Sequence, residues 1–431
     1  MAPLQHAPAE AASAPPPALI DEPRPAPLPV AGKTLSLEGL RGLASLTVIL
    51  SHCFFTFFPY LQLGELAQRK GAWESLLFNS PLRVIYNGTF SVSVFFVMSG
   101  YVLTRKFFKD GDIVSLQEAS VKRYVRLMPP VLVSILLCYG MMKLDLFPVA
   151  RSDLREGFLG NVYLFQPSFL EAWWDGLYRS LLLGNASYNY ILWTIRTEFL
   201  GSLMLFAFLA LFGRFRGSGW MAVVASLALL CINSTDGIFY ALFLAGAYLH
   251  RWKDLRVRPV GLALALLVGL YLGGYHWYSG PYLWMVKVAH TLDAAGLKLE
   301  WPLLYPSLGA VPLVWAILSD NPVSRLLSSR PLVWLGDKSF SMYLLHSVLL
   351  SSVGVYVYLY LPASIAYQGR AALATLAVFV TTFGASTLFA RFVDAPTVRL
   401  SARLGKALRE RQATPHPSEP AVIEHAPARS A

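Results

Sequence analysis

Charged side chains are scarce: Asp, Glu, Lys and Arg make up 14% of the 431 residues, against about 25% in an average soluble chain. Apolar residues make up 55%, and the mean hydropathy is +0.49. This composition excludes a soluble domain and implies a multi-pass membrane protein. Cysteine is also rare. Cys53, Cys138 and Cys231 each lie in an apolar stretch without metal or disulfide spacing, so neither a zinc site nor a disulfide framework is expected. No stretch resembles a nucleic-acid-binding module. The net charge of +11 is therefore assigned to cytoplasmic loops and to attraction of anionic lipid or an anionic ligand. A basic region followed by a short apolar core is missing at the start, so no cleavable signal is expected and targeting falls to the first apolar helix. No internal repeat is visible, which counts against transporters built from duplicated halves.

What is present is a succession of ten apolar segments, centred near Leu46, Phe95, Ile135, Leu203, Ala225, Phe243, Leu266, Val311, Leu349 and Val378. They predict an all-α, polytopic membrane protein with about ten transmembrane helices. Alternate loops differ in charge. The side holding Arg105 to Arg126, Arg214 and Arg216, Arg251 to Arg258, Arg325 and Arg330, and Arg399 to Arg411 has about twice the Lys and Arg of the other, which places both termini in the cytoplasm. The sequons at Asn87, Asn185 and Asn233 fall on the opposite side or at its boundary, close to membrane ends. Residues 1–33 are rich in Ala and Pro and read as a disordered tail, 34–400 as the transmembrane domain, and 401–431 as a basic, then polar, disordered tail. Two connections exceed a turn. One carries Trp173, Trp174 and Tyr178, which suit an interfacial belt or a sugar-stacking surface; the other carries Lys287, His290 and Asp293 in a surface helix.

The stretch Leu35 to Tyr60 organises the rest. It is apolar enough to enter a bilayer, yet holds Arg41 and His52. These lie eleven residues apart, which at 100° per residue returns to within about 20° of one face with an axial separation of about 16 Å. Ionisable side chains at membrane depth usually face a protein interior or a wet cavity and mark functional sites. A snorkelling Arg41 and a hydrogen-bonded core His52 would leave their shared face unexplained.

LEGLRGLASLTVILSH, with an Arg, ten residues and a His, resembles the opening helix of the acyltransferase 3 family of integral membrane O-acyltransferases. Further stretches match that family in order: SVSVFFVMSGYVL (91–103), VKRYVRLMPP (121–130), YILWTIRTEF (190–199), SFSMYLLH (339–346) and DAP (394–396). Two positions depart from the pattern. Ser91, Val92 and Ser93 stand where Gly-Val-Asp is common, and Arg196 stands where a neutral residue is commoner. Arg196 is about 200° from Glu198 around a helix, so it is expected to face away from the site.

The resemblance implies transfer of a short acyl group, most simply acetyl, from acyl-CoA to a hydroxyl of a carbohydrate, glycolipid or secondary metabolite. Such chemistry needs a base, donors for the developing oxyanion and a grip on the carrier. His52, Arg41 and Glu198 are the expected catalytic set, with His52 as general base or as the bearer of a covalent acyl group, and Glu198 orienting a base or balancing an arginine. Lys122, Arg123 and Arg126 suit the phosphates of coenzyme A. His346, Tyr343, Ser341 and Trp193 are further candidates. No metal and no permanently bound cofactor are expected; acyl-CoA, acetyl-CoA in the simplest case, is a cosubstrate. The expected partners are the lipid bilayer, acyl-CoA and the hydroxyl acceptor, with no nucleic acid. The membrane would be an endomembrane or plasma membrane in a eukaryote and the inner membrane in a bacterium. The rival reading is a proton-coupled transporter of small molecules or lipids, in which the same Arg, Glu and His would form a relay.

Overall fold

The computed structural model describes residues 34–413, apart from 155, 156, 161, 254 and 256. The expectations for residues 1–33 and for 414–431 lie outside the described residues. Those described form an all-helical protein with no strand among them. Twelve helices carry the architecture: α1 (Leu35–Phe57), α2 (Gly88–Asp110), α3 (Ile113–Lys143), α4 (Trp193–Phe212), α5 (Ser218–Ile232), α6 (Asp236–Tyr248), α7 (Pro259–Gly273), α8 (Leu283–Ala294), α9 (Trp301–Leu318), α10 (Arg330–Leu349), α11 (Tyr367–Phe389) and α12 (Ala395–Ala413).

Each of the ten apolar segments lies in or at the end of one of these helices, but only six described helices are long and apolar enough to cross a membrane. They contain α1, α3, α4, α9, α10 and α11. The remaining four segments fall in α2, which Thr89, Ser91, Ser93, Ser99 and Thr104 make more polar, and in α5, α6 and α7. The last three have 15, 13 and 15 residues, or about 20 to 23 Å of helix against about 30 Å of hydrocarbon.

The packing of α1 on α10 is the most extensive of any helix pair. Glycine makes it possible. A Cβ on Gly336 would lie 2.0 Å from the Glu38 carbonyl oxygen, and one on Gly42 would lie 2.8 Å from the Gly336 nitrogen, so the two main chains touch. Ten residues beyond each glycine stand His52 and His346, which also meet. The two helices therefore run parallel and in register over almost three turns.

Residues 401–413, part of the stretch expected to be a disordered tail, are helical. After α11 the helix passes through a π-turn at Ala390–Asp394 and continues as α12, which packs along α3. Ser401, Leu404, Gly405 and Leu408, spaced by three and four residues, are buried or half-buried, so the basic stretch is one face of an amphipathic helix. The surface helix expected around Lys287, His290 and Asp293 is α8, where Asp293 accepts a bond from the Trp301 indole at 2.7 Å. Trp173, Trp174 and Tyr178 are exposed on a short helix, Phe169–Trp174, and the π-turn after it. The sequon residue Asn87 is buried: its side chain accepts from the Phe90 N–H as the cap of α2 and donates to the Gly273 carbonyl at 2.7 Å.

Candidate active site

Contact between α1 and α10 sets the first element of the site. His52 Nδ1 lies 2.8 Å from His346 Nε2. The other nitrogen of His346, Nδ1, lies 2.7 Å from the Tyr343 carbonyl oxygen and 3.2 Å from that of Met342. A carbonyl can only accept, so Nδ1 of His346 carries the proton, and in the neutral ring its Nε2 is an acceptor. His52 must then donate from Nδ1. Its Nε2 is left with a lone pair, the form a base or nucleophile requires.

A stacked aromatic fixes the plane of His52. The Phe158 ring lies 3.9 Å from the imidazole at an angle of 11°. Phe158 belongs to the long connection between α3 and α4, and Gly157 seats that connection on α1: a Cβ there would stand 2.0 Å from the Phe55 carbonyl oxygen. Gly157→Ala must move this segment by an ångström or more. Turnover is expected to fall by about 10²-fold while the protein still folds, as small misplacements of reacting groups do; steady-state kinetics beside a melting curve check it.

A cavity of about 390 Å³ is lined by α1, α2, α3, α4 and α10. Tyr343 lines it, one turn before His346, with ring centroids 5.7 Å apart. The Tyr343 hydroxyl donates to the Ile191 carbonyl at 3.0 Å and shares a 2.6 Å bond with Thr194, another lining residue. Across the cavity, Glu198 accepts from the Ser99 hydroxyl at 2.8 Å and from the Arg123 guanidinium, which also donates to Ser202. Arg126 donates to Asp394 at 2.6 Å and lies 5.0 Å over the Phe340 ring. Arg41 also lines the cavity and pairs with Glu38 at 3.5 Å. Most of the remaining wall is apolar. A second chamber of about 400 Å³ shares Arg123 and Arg126 with the first and adds Lys106, Glu118, Lys122 and Arg409. Among the described residues no cluster of His, Cys, Asp and Glu could hold a metal ion.

The acyltransferase domain of the acyltransferase 3 family matches residues 34–391. The chain belongs to that family. The protein is accordingly an O-acyltransferase. It is 25% identical to the O-acetyltransferase PaAT-1 of Phomopsis amygdali over 74% of this chain and 72% of the relative. It is 23% identical to the acyltransferase clz18 of Cochliobolus lunatus, covering 84% and 94%, and 26% identical to the acyltransferase MdmB of Streptomyces mycarofaciens, covering 85% and 92%. No solved structure matches the chain.

The acyltransferase thus brings Arg41, Arg123, Arg126, Glu198 and Tyr343 to one cavity, pairs His52 with His346, whose ring lies 5.7 Å from that of Tyr343, and sets Lys122 in the adjoining chamber. His52 itself is half-buried and lines neither chamber. Glu198 bonds Arg123 and Ser99, so of its two expected roles the geometry matches balancing an arginine. Two candidates lie apart from the site. Ser341 is buried outside the cavity with its hydroxyl unpaired, and Trp193 is 45% exposed against Phe239. Arg196 faces away from Glu198 as expected and pairs with Asp236 at 3.0 Å, which accounts for its depth. Residues not singled out include Phe158, Ser99, Thr194 and Asp394. Of these, Ser99, Thr194 and Asp394 had a signal in lying within the matched stretches 91–103, 190–199 and 394–396, and Phe158 had none.

Proposed function

We propose that the protein moves a short acyl group, most simply acetyl, from cytosolic acyl-CoA to a hydroxyl of a secondary metabolite, carbohydrate or glycolipid. One observation carries this reading: the hydrogen bonding of His346 leaves His52 Nε2 unprotonated, and the His346 ring lies 5.7 Å from that of Tyr343, which lines the cavity that also holds Arg41, Arg123 and Arg126. His52 Nε2 takes the acceptor's hydroxyl proton as the oxygen attacks the thioester carbonyl. The tetrahedral intermediate then expels the thiolate, to which the His52 imidazolium returns the proton. His346 accepts the Nδ1–H of His52 throughout and stabilises the imidazolium. A covalent acyl-His52 would use the same lone pair. The cations of the two chambers serve the carrier's phosphates, and the largely apolar cavity suits its thioester arm.

The reading places the basic chambers in the cytoplasm, with ten segments traversing or dipping into the membrane and both termini on that side. The parallel α1 and α10 fit the first and ninth segments of this scheme. Tags at residues 5 and 428 are expected to be protease-sensitive from the cytosolic face only; digestion of sealed vesicles of known orientation checks it, and a tag cut from the opposite face at either end overturns the topology.

The function is tested by incubating purified protein in vesicles with acetyl-CoA and following thioester cleavage, with and without hydroxyl-bearing acceptors, then looking for products heavier by one acyl group. A transporter would leave the thioester intact. Arg126→Gln is expected to raise the donor KM by about tenfold, the effect of losing one charge-assisted hydrogen bond, with kcat less affected. An unchanged donor KM would restrict Arg126 to its bond with Asp394.

A further inference from the structure

The second chamber is closed on one side by α12, which contributes Ser401 and Arg409 to its lining. Five of the lining side chains are cationic, Lys106, Lys122, Arg123, Arg126 and Arg409, against one acid, Glu118. They come from α2, α3 and α12, so the chamber exists only when the C-terminal helix is docked. The docking is built for close approach. A Cβ on Gly405 would stand 2.4 Å from a Glu118 carboxylate oxygen and 2.6 Å from Cδ of Lys122, so the helix lies directly on these side chains.

Glu118 is the joint of the arrangement. It accepts from the Lys122 ammonium at 2.8 Å and from Nε of Arg409. Asp112 lies 3.6 Å from the Lys106 ammonium and 3.8 Å from Nη2 of Arg409. Three cations therefore share two carboxylates. Among the described residues one positive charge is in excess, and Lys106, Lys122 and Arg409 have more N–H donors than these bonds use around a cavity of about 400 Å³. A cavity of that size, with cations on three walls and charge to spare, suits a phosphorylated ligand rather than a neutral one.

We propose that α12 is one wall of the subsite for the nucleotide end of the donor, with Arg409 and Lys106 contacting its phosphates. This rests on the acyl-CoA reading above and extends it to a helix beyond the matched domain. In that arrangement the donor's phosphates lie between α3 and α12, and the bound donor ties the C-terminal helix to the bundle.

The test is coenzyme A binding to the full-length protein in discs of neutral phospholipid, measured by calorimetry. Arg409→Gln and Lys106→Gln are each expected to weaken binding by about tenfold, the lower range for a charge-assisted hydrogen bond, and Arg409→Lys to recover most of the loss. Arg403 and Lys406 are exposed on the outer face of the same helix. The double variant Arg403→Gln, Lys406→Gln changes net charge without touching the chamber and is expected to bind as the parent does. Three results would overturn the proposal: unchanged affinity in both chamber variants, equal losses in the outer-face variant, or losses that occur only in discs containing anionic lipid. The last would mean the cations hold a lipid phosphate instead. If the parent protein bound no coenzyme A at all, the donor reading itself would fall.

Discussion

His52→Gln is expected to lower acyl transfer by a factor of about 10² to 10⁴ while the protein inserts and melts as the parent does. Glutamine keeps a polar side chain of similar reach on the same face of α1 and can still bond His346. It has no lone pair of useful basicity where Nε2 stood, so the loss would isolate proton transfer from packing. His346→Phe makes the complementary change. It removes the acceptor that holds the His52 proton on Nδ1, so His52 can place its proton on either nitrogen. The expected result is a smaller fall, in kcat rather than in the donor KM, because the base remains but its lone pair is no longer held toward the substrate. Single-turnover kinetics with acetyl-CoA separate the two effects. If His52→Gln kept more than about a tenth of the parent rate, neither the base nor the acyl-carrier role could stand.

Glu198→Ala is expected to destabilise the protein by about 1 to 3 kcal/mol, since it takes the carboxylate from the partly buried guanidinium of Arg123, which keeps its bond to Ser202. The Arg123 side chain is 11% exposed and that of Glu198 18%, so the lost partner is replaced only in part, from the chambers that Arg123 lines. Replacing both residues with methionine removes the charges together and should return most of the stability, since a buried pair costs desolvation that an apolar pair of similar volume avoids. Thermal melts in detergent check both variants. A parental melting temperature for Glu198→Ala would show that Arg123 is satisfied by Ser202 and solvent, and would reopen a direct role for Glu198. A double variant that regains stability without activity would separate the pair's structural part from its functional part.

The helical class was legible in the sequence because it depends on apolar runs, while the grouping of Arg41, Arg123, Arg126 and Glu198 was legible through the motif stretches whose order resembles the family's. Parity with His346 was not legible from periodicity. It depends on Gly42 and Gly336 bringing two distant helices into main-chain contact, and neither glycine carries a signal separating it from the others in the chain. Phe158 was hidden for a related reason: it lies in an irregular connection whose course is set by contact with α1. Composition alone did not separate the six helices long and apolar enough to cross from α5, α6 and α7, which are apolar but have only 13 to 15 residues. Within that expected tail, the helix over residues 401–413 was hidden because mean polarity concealed the spacing of Ser401, Leu404, Gly405 and Leu408.

The equal ten-residue intervals from Gly42 to His52 and from Gly336 to His346 divide the protein into parts with different freedom to vary. The gap between the histidines is fixed by two main chains in van der Waals contact, so a bulky residue at either glycine would be transmitted along almost three turns of helix to the reacting nitrogen. Lipid-facing positions, and the long connections away from Gly157 and Phe158, carry no such leverage. A deep mutational scan would therefore resolve a narrow seam of intolerance along α1 and α10, with most of its members far from any substrate. Acceptor preference could be altered outside that seam without disturbing the distance on which the chemistry depends.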